Sequence, residues 1–323
     1  MSKKVLVTGA GGFIGHHLVK YLKERGYWIR GVDIKYPEYE DTVADEFEIF
    51  DLRRWENCQQ AIRGVEQVYA LAANMGGIGF IETHKAEIVH DNILINMHTL
   101  EAARLNGIDK FLFTSSACIY PGYKQNTSDV TPLKEEDAYP ADSEDGYGWE
   151  KLYTERACFH YYEDYGLKTY SVRFHNIFGP LGTYEGGREK SPAAICRKIA
   201  HARNEDEIEV WGDGKQTRSY CYIDDCVEGI YKLMQSDYHK PINLGQDRMI
   251  TIDELVDIVA NIAGKKITKR YDLTKPQGVR GRNSDNTKLR EVLKWEPQVS
   301  LEKGLEFTYK WIYEQLAKNK ATM

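Results

Sequence analysis

Val5-Leu6-Val7-Thr8 runs directly into Gly9-Ala10-Gly11-Gly12-Phe13-Ile14-Gly15, and Leu18, Val19 and Leu22 then recur at helical spacing up to Gly26. No other stretch restricts the fold as much. A short apolar strand, a glycine-rich turn and a helix open a βαβ unit. The glycines permit the tight turn and let the backbone approach a pyrophosphate at the helix N-terminus. A second strand, 28–32, ends in Asp33. A carboxylate there accepts ribose hydroxyls and repels a 2′-phosphate, which favours NAD over NADP.

Strand and helix keep alternating. Phe47-Glu48-Ile49-Phe50 ends at Asp51-Leu52, Val68-Tyr69-Ala70-Leu71 at Ala72-Ala73, and a strand from Lys110 at Ser115-Ser116. A long helix is expected over 84–106, with Val89, Ile93, Met97 and Leu100 at helical spacing. The pattern predicts an α/β fold with a doubly wound parallel (Rossmann) sheet, its ligands at the carboxyl ends of the strands. Asp51 is then placed to touch an adenine and Ala72 to line the cofactor cleft, or both are ordinary strand-end residues. A smaller, mostly C-terminal α/β substrate domain is expected, with the cofactor domain at 1–174 and 217–247 and the second at 175–216 and 248–323.

With a net charge of −6 over 323 residues, the chain lacks a broad electrostatic footprint for nucleic acid. An anionic ligand therefore needs a local cluster of cations. Lys190, Arg218, Arg280 and Arg282 stand on glycine-rich segments beyond the cofactor half, where Arg forks suit a diphosphate. Lys198, in a basic helix read to include Arg197 and Arg203, is either a ligand or a solvated surface charge. The six cysteines are scattered, without a Cys-xx-Cys pair, which argues against zinc or a disulfide framework and suits a reducing cytoplasm. No apolar run approaches the ~20 residues of a membrane span, and Met1-Ser2-Lys3-Lys4 leads straight into a strand, leaving no room for a signal peptide.

Tyr147 and Lys151, four apart, fall on one helix face. An ammonium so placed is expected to lower the phenol from about 10 towards neutrality, so that the Tyr can take a proton from a substrate hydroxyl and return it. Ser116, at a strand end, can hydrogen-bond the same substrate oxygen. Cys118 beside it is either a catalytic thiol or a buried strand-end residue.

Together these residues resemble the extended short-chain dehydrogenase/reductase family, essentially end to end. Gly9, Gly12 and Gly15 look like its cofactor glycines and Ser116, Tyr147 and Lys151 like its catalytic triad. Arg173-Phe174-His175-Asn176-Ile177-Phe178-Gly179-Pro180 looks like its Arg-xx-Asn-x-Tyr-Gly-Pro motif, departing at Phe178. The resemblance implies NAD contacts from Gly9, Gly12, Phe13, Ile14, Gly15, Asp33, Asp51, Leu52, Ala72, Tyr147 and Lys151. It implies a homodimer built on a four-helix bundle.

Within the family, Met75-Gly76-Gly77, Ser115-Ser116-Ala117-Cys118, Gly187-Arg188-Glu189-Lys190 and Gly278-Val279-Arg280-Gly281-Arg282-Asn283 resemble members that act on GDP-mannose. Asn74 and Trp149 depart from that pattern, which has Asp and Leu there. The implied substrate contacts are Gly76, Ser116, Ala117, Cys118, Tyr147, Asn176, Glu189, Lys190, Ser191, Lys198, Gln216, Thr217, Arg218 and Arg282, the last at the diphosphate. The implied cycle oxidises C4 with NAD, inverts C3 and C5 beside the ketone with Cys118 and Lys190 as base and acid, and reduces C4 again. A thiol starting near about 8.5 needs little depression for this, whereas a Lys near about 10.4 needs desolvation or a like charge. The rival activities are a 4-epimerase, which leaves Cys118 without a role, a 4,6-dehydratase, which usually has an acid pair where Ala117-Cys118 stands, and a uronate decarboxylase. A non-catalytic NAD-binding protein is the remaining alternative.

Overall fold

The computed structural model describes residues 2–321. Its first strand, β1 (Lys4–Thr8), sets the architecture. Val5 and Val7 enter one apolar cluster and Leu6 another, all three fully buried. Alternate residues of a strand point to opposite faces, so a strand buried at every position needs helices on both.

The chain supplies them in turn: α1 (Phe13–Glu24), β2 (Trp28–Asp33), β3 (Glu46–Ile49), α2 (Trp55–Ile62), β4 (Gln67–Ala70), α3 (Ile78–Thr83), α4 (Lys85–Leu105), β5 (Lys110–Ser116), α5 (Asp145–Tyr165), β6 (Lys168–Phe174) and β7 (Ile177–Phe178). Beyond these lie α6 (Ser191–His201), β8 (Glu207–Trp211), β9 (Thr217–Ser219), β10 (Cys221–Tyr222), α7 (Ile223–Gln235) and β11 (Ile242–Leu244). β12 (Met249–Thr251), α8 (Ile252–Ala263), β13 (Thr268–Asp272), β14 (Gly281–Arg282), α9 (Thr287–Leu293) and α10 (Leu301–Ala321) complete it.

Seven strands form one parallel sheet in the order β11-β6-β5-β4-β1-β2-β3. α1 and α7 cover one face, and α2, α4 and α5 the other. This is the doubly wound sheet expected from the alternation of elements. Chain direction across the sheet reverses between β1 and β4, which opens a crevice at their carboxyl ends.

β9 joins β12 and β14 in a three-stranded sheet, and β8 pairs with β13. α6, α8 and α10 pack together beside them. Thr251 starts α8 with a capping box: its Oγ1 accepts from the Glu254 amide at 3.0 Å, and its own amide donates to Glu254 Oε2 at 2.7 Å.

Two helices differ from the sequence reading. In α4 the buried positions include Asp91, Asn92, Asn96 and Thr99 as well as Leu100, while Val89, Ile93 and Met97 stay half-buried. Polar side chains lie inward because α5 presents Glu150 and Thr154 to them, and amide hydrogen bonds join the two helices. Arg203 lies outside the basic helix. α6 ends at His201, where Lys265 Nζ takes the Ile199 and Ala202 carbonyls at 2.7 Å each.

Candidate active site

The glycine turn is built by two different demands. Gly9 has φ +69°, and a Cβ on it would lie 2.9 Å from the Ala72 amide nitrogen; one on Gly15 would lie 2.1 Å from the Gly9 carbonyl. The chain itself needs both glycines. Gly12 is different, since a Cβ there meets only the Gly9 carbonyl, at 3.3 Å. It is the N-cap of α1, with no side-chain cap and no acid in the first turn, so the amide donors stay open to an anion. Gly15→Ala is therefore expected to cost about 1–3 kcal/mol, read as a lowered melting temperature. Gly12→Ala is expected to melt close to the parent and to weaken dinucleotide binding instead.

Asp33 braces this turn. Its Oδ2 accepts from the Gly11 amide at 2.9 Å and its Oδ1 from the Ile34 amide at 2.7 Å. Burial pushes the carboxyl up, against those bonds. Asp51 is paired with Arg53, which also reaches Asp91 of α4; Leu52 is buried. Phe13 lines the same crevice with Gly11, Gly12 and Lys35, Ile14 follows it in α1, and Ala72 closes against Gly9. An open helix N-terminus, a glycine with room above it and a carboxylate at the β2 end fit a dinucleotide.

Ser116 ends β5 and its Oγ accepts from the Cys118 amide at 3.1 Å, shaping the turn Ala117–Ile119. Tyr147, on α5, is 7% exposed and packs on Phe80 and Ile88; the Ser116 hydroxyl bonds its phenol. Gly148 lets the helix approach, since a Cβ there would lie 2.2 Å from the Cys118 carbonyl. Lys151 Nζ lies 5.6 Å from the Tyr147 ring centre and donates to the Thr114 carbonyl at 3.0 Å.

The Tyr147 phenol does not move towards neutrality as the Tyr-Lys spacing predicts. Burial, ahead of the charges of Cys118 and Glu150, pushes the phenol up rather than towards neutrality, and only the Ser116 bond opposes it. Lys151 is itself desolvated and pushed down, and its ammonium is directed at a carbonyl of β5.

Cys118 faces a cluster of cations. Arg282 on β14, 6% exposed, directs Nη1 at Cys118 Sγ, 3.5 Å away. Its Nε donates to Gln125 Oε1 at 2.7 Å, and its Nη2 is paired with Glu144. Arg282 is thus built into the wall beside the thiol rather than standing free for a diphosphate. Arg218 has carbonyl partners instead, Thr217 O at 2.8 Å and Gln277 O at 3.2 Å, and no carboxylate ion pair among the described residues. Burial and the charge of Arg282 push it down to about 10, the strain of a cation that an anion would relieve.

Lys190 is the N-cap residue of α6. The residue keeps an exposed surface, yet the protein around its ammonium pushes it down by desolvation; the charges of Cys118, Cys226 and Arg282 all act on it. The loop bearing it is fixed at its base: the Gly77 amide donates to the Arg188 carbonyl at 3.0 Å, and Arg188 stacks on Phe80, 3.8 Å from the ring centre. Gly76 is buried against Phe80, and Glu189 is tied to Arg197 at 3.0 Å. Ser116, Ala117, Cys118, Tyr147, Lys151 and Lys190 therefore share one cleft with Arg218 and Arg282.

Other side chains named from the sequence are committed to the protein. Asn176, at φ +46°, donates to Ser219 O at 2.9 Å, and Ser191 Oγ meets the Tyr220 hydroxyl at 2.9 Å. Lys198 donates to Glu209 O at 2.7 Å, and Gln216 to Trp211 O at 2.8 Å, while Thr217 bonds the Ser128 carbonyl. Arg280 leaves the cleft altogether for a surface pair with Asp213. Asn74 faces Glu87 and Asp91 with its Nδ2, so an Asp there would add a third carboxylate. Gln125 and Glu144, which hold Arg282, are not legible in the sequence; each is one residue within a run of polar loop residues, with nothing to mark it.

A family model described as the NAD dependent epimerase/dehydratase family matches residues 5–245. GDP-mannose 3,5-epimerase of Arabidopsis thaliana is 48% identical over 98% of this chain and 84% of its own length. Among solved structures, UDP-glucose 4-epimerase of Thermotoga maritima with UDP-glucose superposes with a TM-score of 0.86 at 28% identity, over 97% of this chain and 99% of that one. The Thermus thermophilus UDP-glucose 4-epimerase complex with NAD gives 0.84 at 25%, over 96% and 98%.

Proposed function

Since the chain belongs to the NAD dependent epimerase/dehydratase family, we propose that it is an NAD-dependent GDP-mannose 3,5-epimerase. It converts GDP-D-mannose to GDP-L-galactose, and inversion at C5 alone gives GDP-L-gulose as a second product. The observation that carries this reading is Cys118, with a guanidinium donor on its sulfur and Lys190 in the same cleft. A 4-epimerase needs one proton-handling residue at C4 and has no use for two more. The near full-length identity to GDP-mannose 3,5-epimerase supports the same choice.

Bound NAD would supply reversible hydride transfer at C4. Gly9, Gly12, Gly15 and the α1 N-terminus would hold its pyrophosphate, and Asp33 its adenosine ribose. Tyr147 takes the proton of the C4 hydroxyl, with Ser116 bonded to the same oxygen and Lys151 stabilising the phenolate. The C4 ketone makes the protons on C3 and C5 acidic, because either carbanion delocalises into the carbonyl. Cys118 removes each proton on one face and Lys190 delivers one on the other, the thiol losing its proton to solvent and the amine regaining one from solvent between the two inversions. A cationic donor on the sulfur is the setting in which thiols react. The desolvation that pushes Lys190 down brings it closer to releasing a proton near neutral pH. Arg218 is the cation with charge to spare for the diphosphate.

The reading divides the chain at 1–174 with 217–247 for NAD and 175–216 with 248–323 for the nucleotide sugar. It includes a homodimer formed through the outer face of α4 and α5, where Val89, Ile93 and Met97 are half-buried and Trp149 and Tyr153 exposed. Six unpaired cysteines suit a reducing cytoplasm, and no described helix is long and apolar enough to cross a membrane.

The test is incubation with GDP-mannose and NAD in deuterated water, followed by proton NMR of the sugar. Deuterium at C3 and C5 with new sugar signals is expected; deuterium at neither carbon, in folded NAD-loaded protein, rejects the reading. Cys118→Ser is expected to lose that exchange while still forming the ketone, seen as absorbance near 340 nm. Full exchange in Cys118→Ser would remove the thiol from the scheme.

A further inference from the structure

Glu150 stands immediately before Lys151 on α5, and its side chain turns into the seam with α4, where it is 1% exposed. Asn92 Nδ2 reaches its Oε1 at 2.8 Å and Asn96 Nδ2 its Oε2 at 3.1 Å. Oε1 also lies 4.0 Å from Lys151 Nζ. The orientation of Asn92 is fixed by backbone: its Oδ1 accepts the Asn74 amide at 2.6 Å and its Nδ2 also donates to the Asn74 carbonyl at 3.1 Å. The group facing Glu150 is therefore an NH2. Donors on both oxygens suit an ionised carboxylate, whereas a protonated one would set its O–H against an N–H.

We propose that Glu150, held ionised by Asn92 and Asn96, is a positioning residue that keeps Lys151 an ammonium inside a dry active site. Burial works against both charges, pushing Glu150 up and Lys151 down. Of the groups that face Lys151, Glu150 is the foremost charge opposing that loss. Glu155, also on α5, is committed to Arg173 of β6. Cys118, in the turn after β5, and Tyr147, on α5, are proton carriers in their own right. Asp91 of α4 is taken by Arg53 and His90. From β5, Lys151 receives the Thr114 carbonyl and the face of the Phe113 ring, 4.8 Å from Nζ, neither of them charged. A neutral Lys151 would leave the phenolate of Tyr147 unsupported, and burial already disfavours that phenolate. Glu150 is thus what lets the Tyr-Lys pair work away from water.

This inference rests on Tyr147 and Lys151 as the proton-handling pair of the proposed epimerase. The test is the pH profile of kcat for the NAD-loaded enzyme with GDP-mannose. Glu150→Gln removes the charge at constant shape, and turning over the Asn96 amide lets it satisfy the new NH2. The limb set by Lys151 is expected to move to lower pH by about one to three units, the effect of an opposite charge at this range. The limb set by Tyr147 moves the same way by less, because Glu150 also acts on Tyr147. Glu150→Asp keeps the charge but draws it back by one methylene, and is expected to move the Lys151 limb less; it serves if the Gln variant does not fold. A folded, active variant of either kind whose limbs stay at the wild-type pH, with only kcat or stability reduced, overturns the role. Wild-type protein that does not turn over GDP-mannose overturns the function as well.

Discussion

Tyr147→Phe will fold like the parent and lose about 10²–10⁴ of its turnover, the range that positioned proton transfer contributes. The substitution removes one oxygen and leaves the ring, which packs on Phe80 and Ile88, in place. Ser116 loses its phenol partner but still accepts from the Cys118 amide at 3.1 Å, so the turn bearing the thiol keeps its shape. Without the hydroxyl, nothing in the cleft takes the C4 proton in line with Ser116. The ketone does not form, and C3 and C5 stay non-acidic. Absorbance near 340 nm on adding GDP-mannose to the NAD-loaded variant should therefore stay flat, and deuterium should enter neither carbon. Cys118→Ser should share the missing exchange but differ at the first step, giving the absorbance that Tyr147→Phe lacks. That contrast separates the oxidation from the inversions. Unaltered turnover in Tyr147→Phe would overturn the assignment of the base.

Local pattern carries the central sheet. Each strand read from an apolar run is present within a residue or two; all but the exposed edge strand β3 are largely buried on both faces, which leaves few polar positions to confuse the pattern. Asp33 and Ser116 end their strands as read. What local pattern misses is set by distant segments. β8 pairs with β13 across residues 207–211 and 268–272, and Arg280 finds Asp213 by that route. The inward face of α4 is polar because Glu150, nearly 60 residues later, receives Asn92 and Asn96; an apolar stripe on the same helix then misleads. The same physics corrects Tyr147. Spacing places Lys151 on its face, but desolvation of both groups, which spacing does not report, decides which way each is pushed. Phe178 departs from its motif at little cost, since it is buried on Tyr220 and Tyr222 and has no water to give a hydroxyl.

Arg173→Leu is expected to cost about 3–5 kcal/mol, because it strands a buried carboxylate. Arg173 is 2% exposed on β6, and its fork meets Glu155 of α5 at 2.9 and 2.8 Å. Its Nη1 also donates to the Tyr120 hydroxyl at 3.1 Å and to Glu135 O at 2.7 Å. Tyr120 keeps a partner after the change, as its hydroxyl donates to Asn243 Oδ1 at 2.6 Å. Glu155 does not, so most of the loss falls on it. At roughly 2.1 cal/mol/K per residue of unfolding entropy, the melting temperature should drop by about 4–7 °C. Adding Glu155→Leu should recover much of the loss, since a buried ion pair replaced whole by apolar groups is often neutral. A double-mutant cycle on melting temperature reads this directly, and a single variant that melts with the parent would mean the pair contributes nothing. The pair also bears on chemistry. Glu155 lies one turn beyond Lys151 and its charge acts on that ammonium, so Arg173 keeps a second carboxylate fixed while Glu150 serves the lysine. An unpaired Glu155 would instead be free to take up a proton, and the field at Lys151 would change with it.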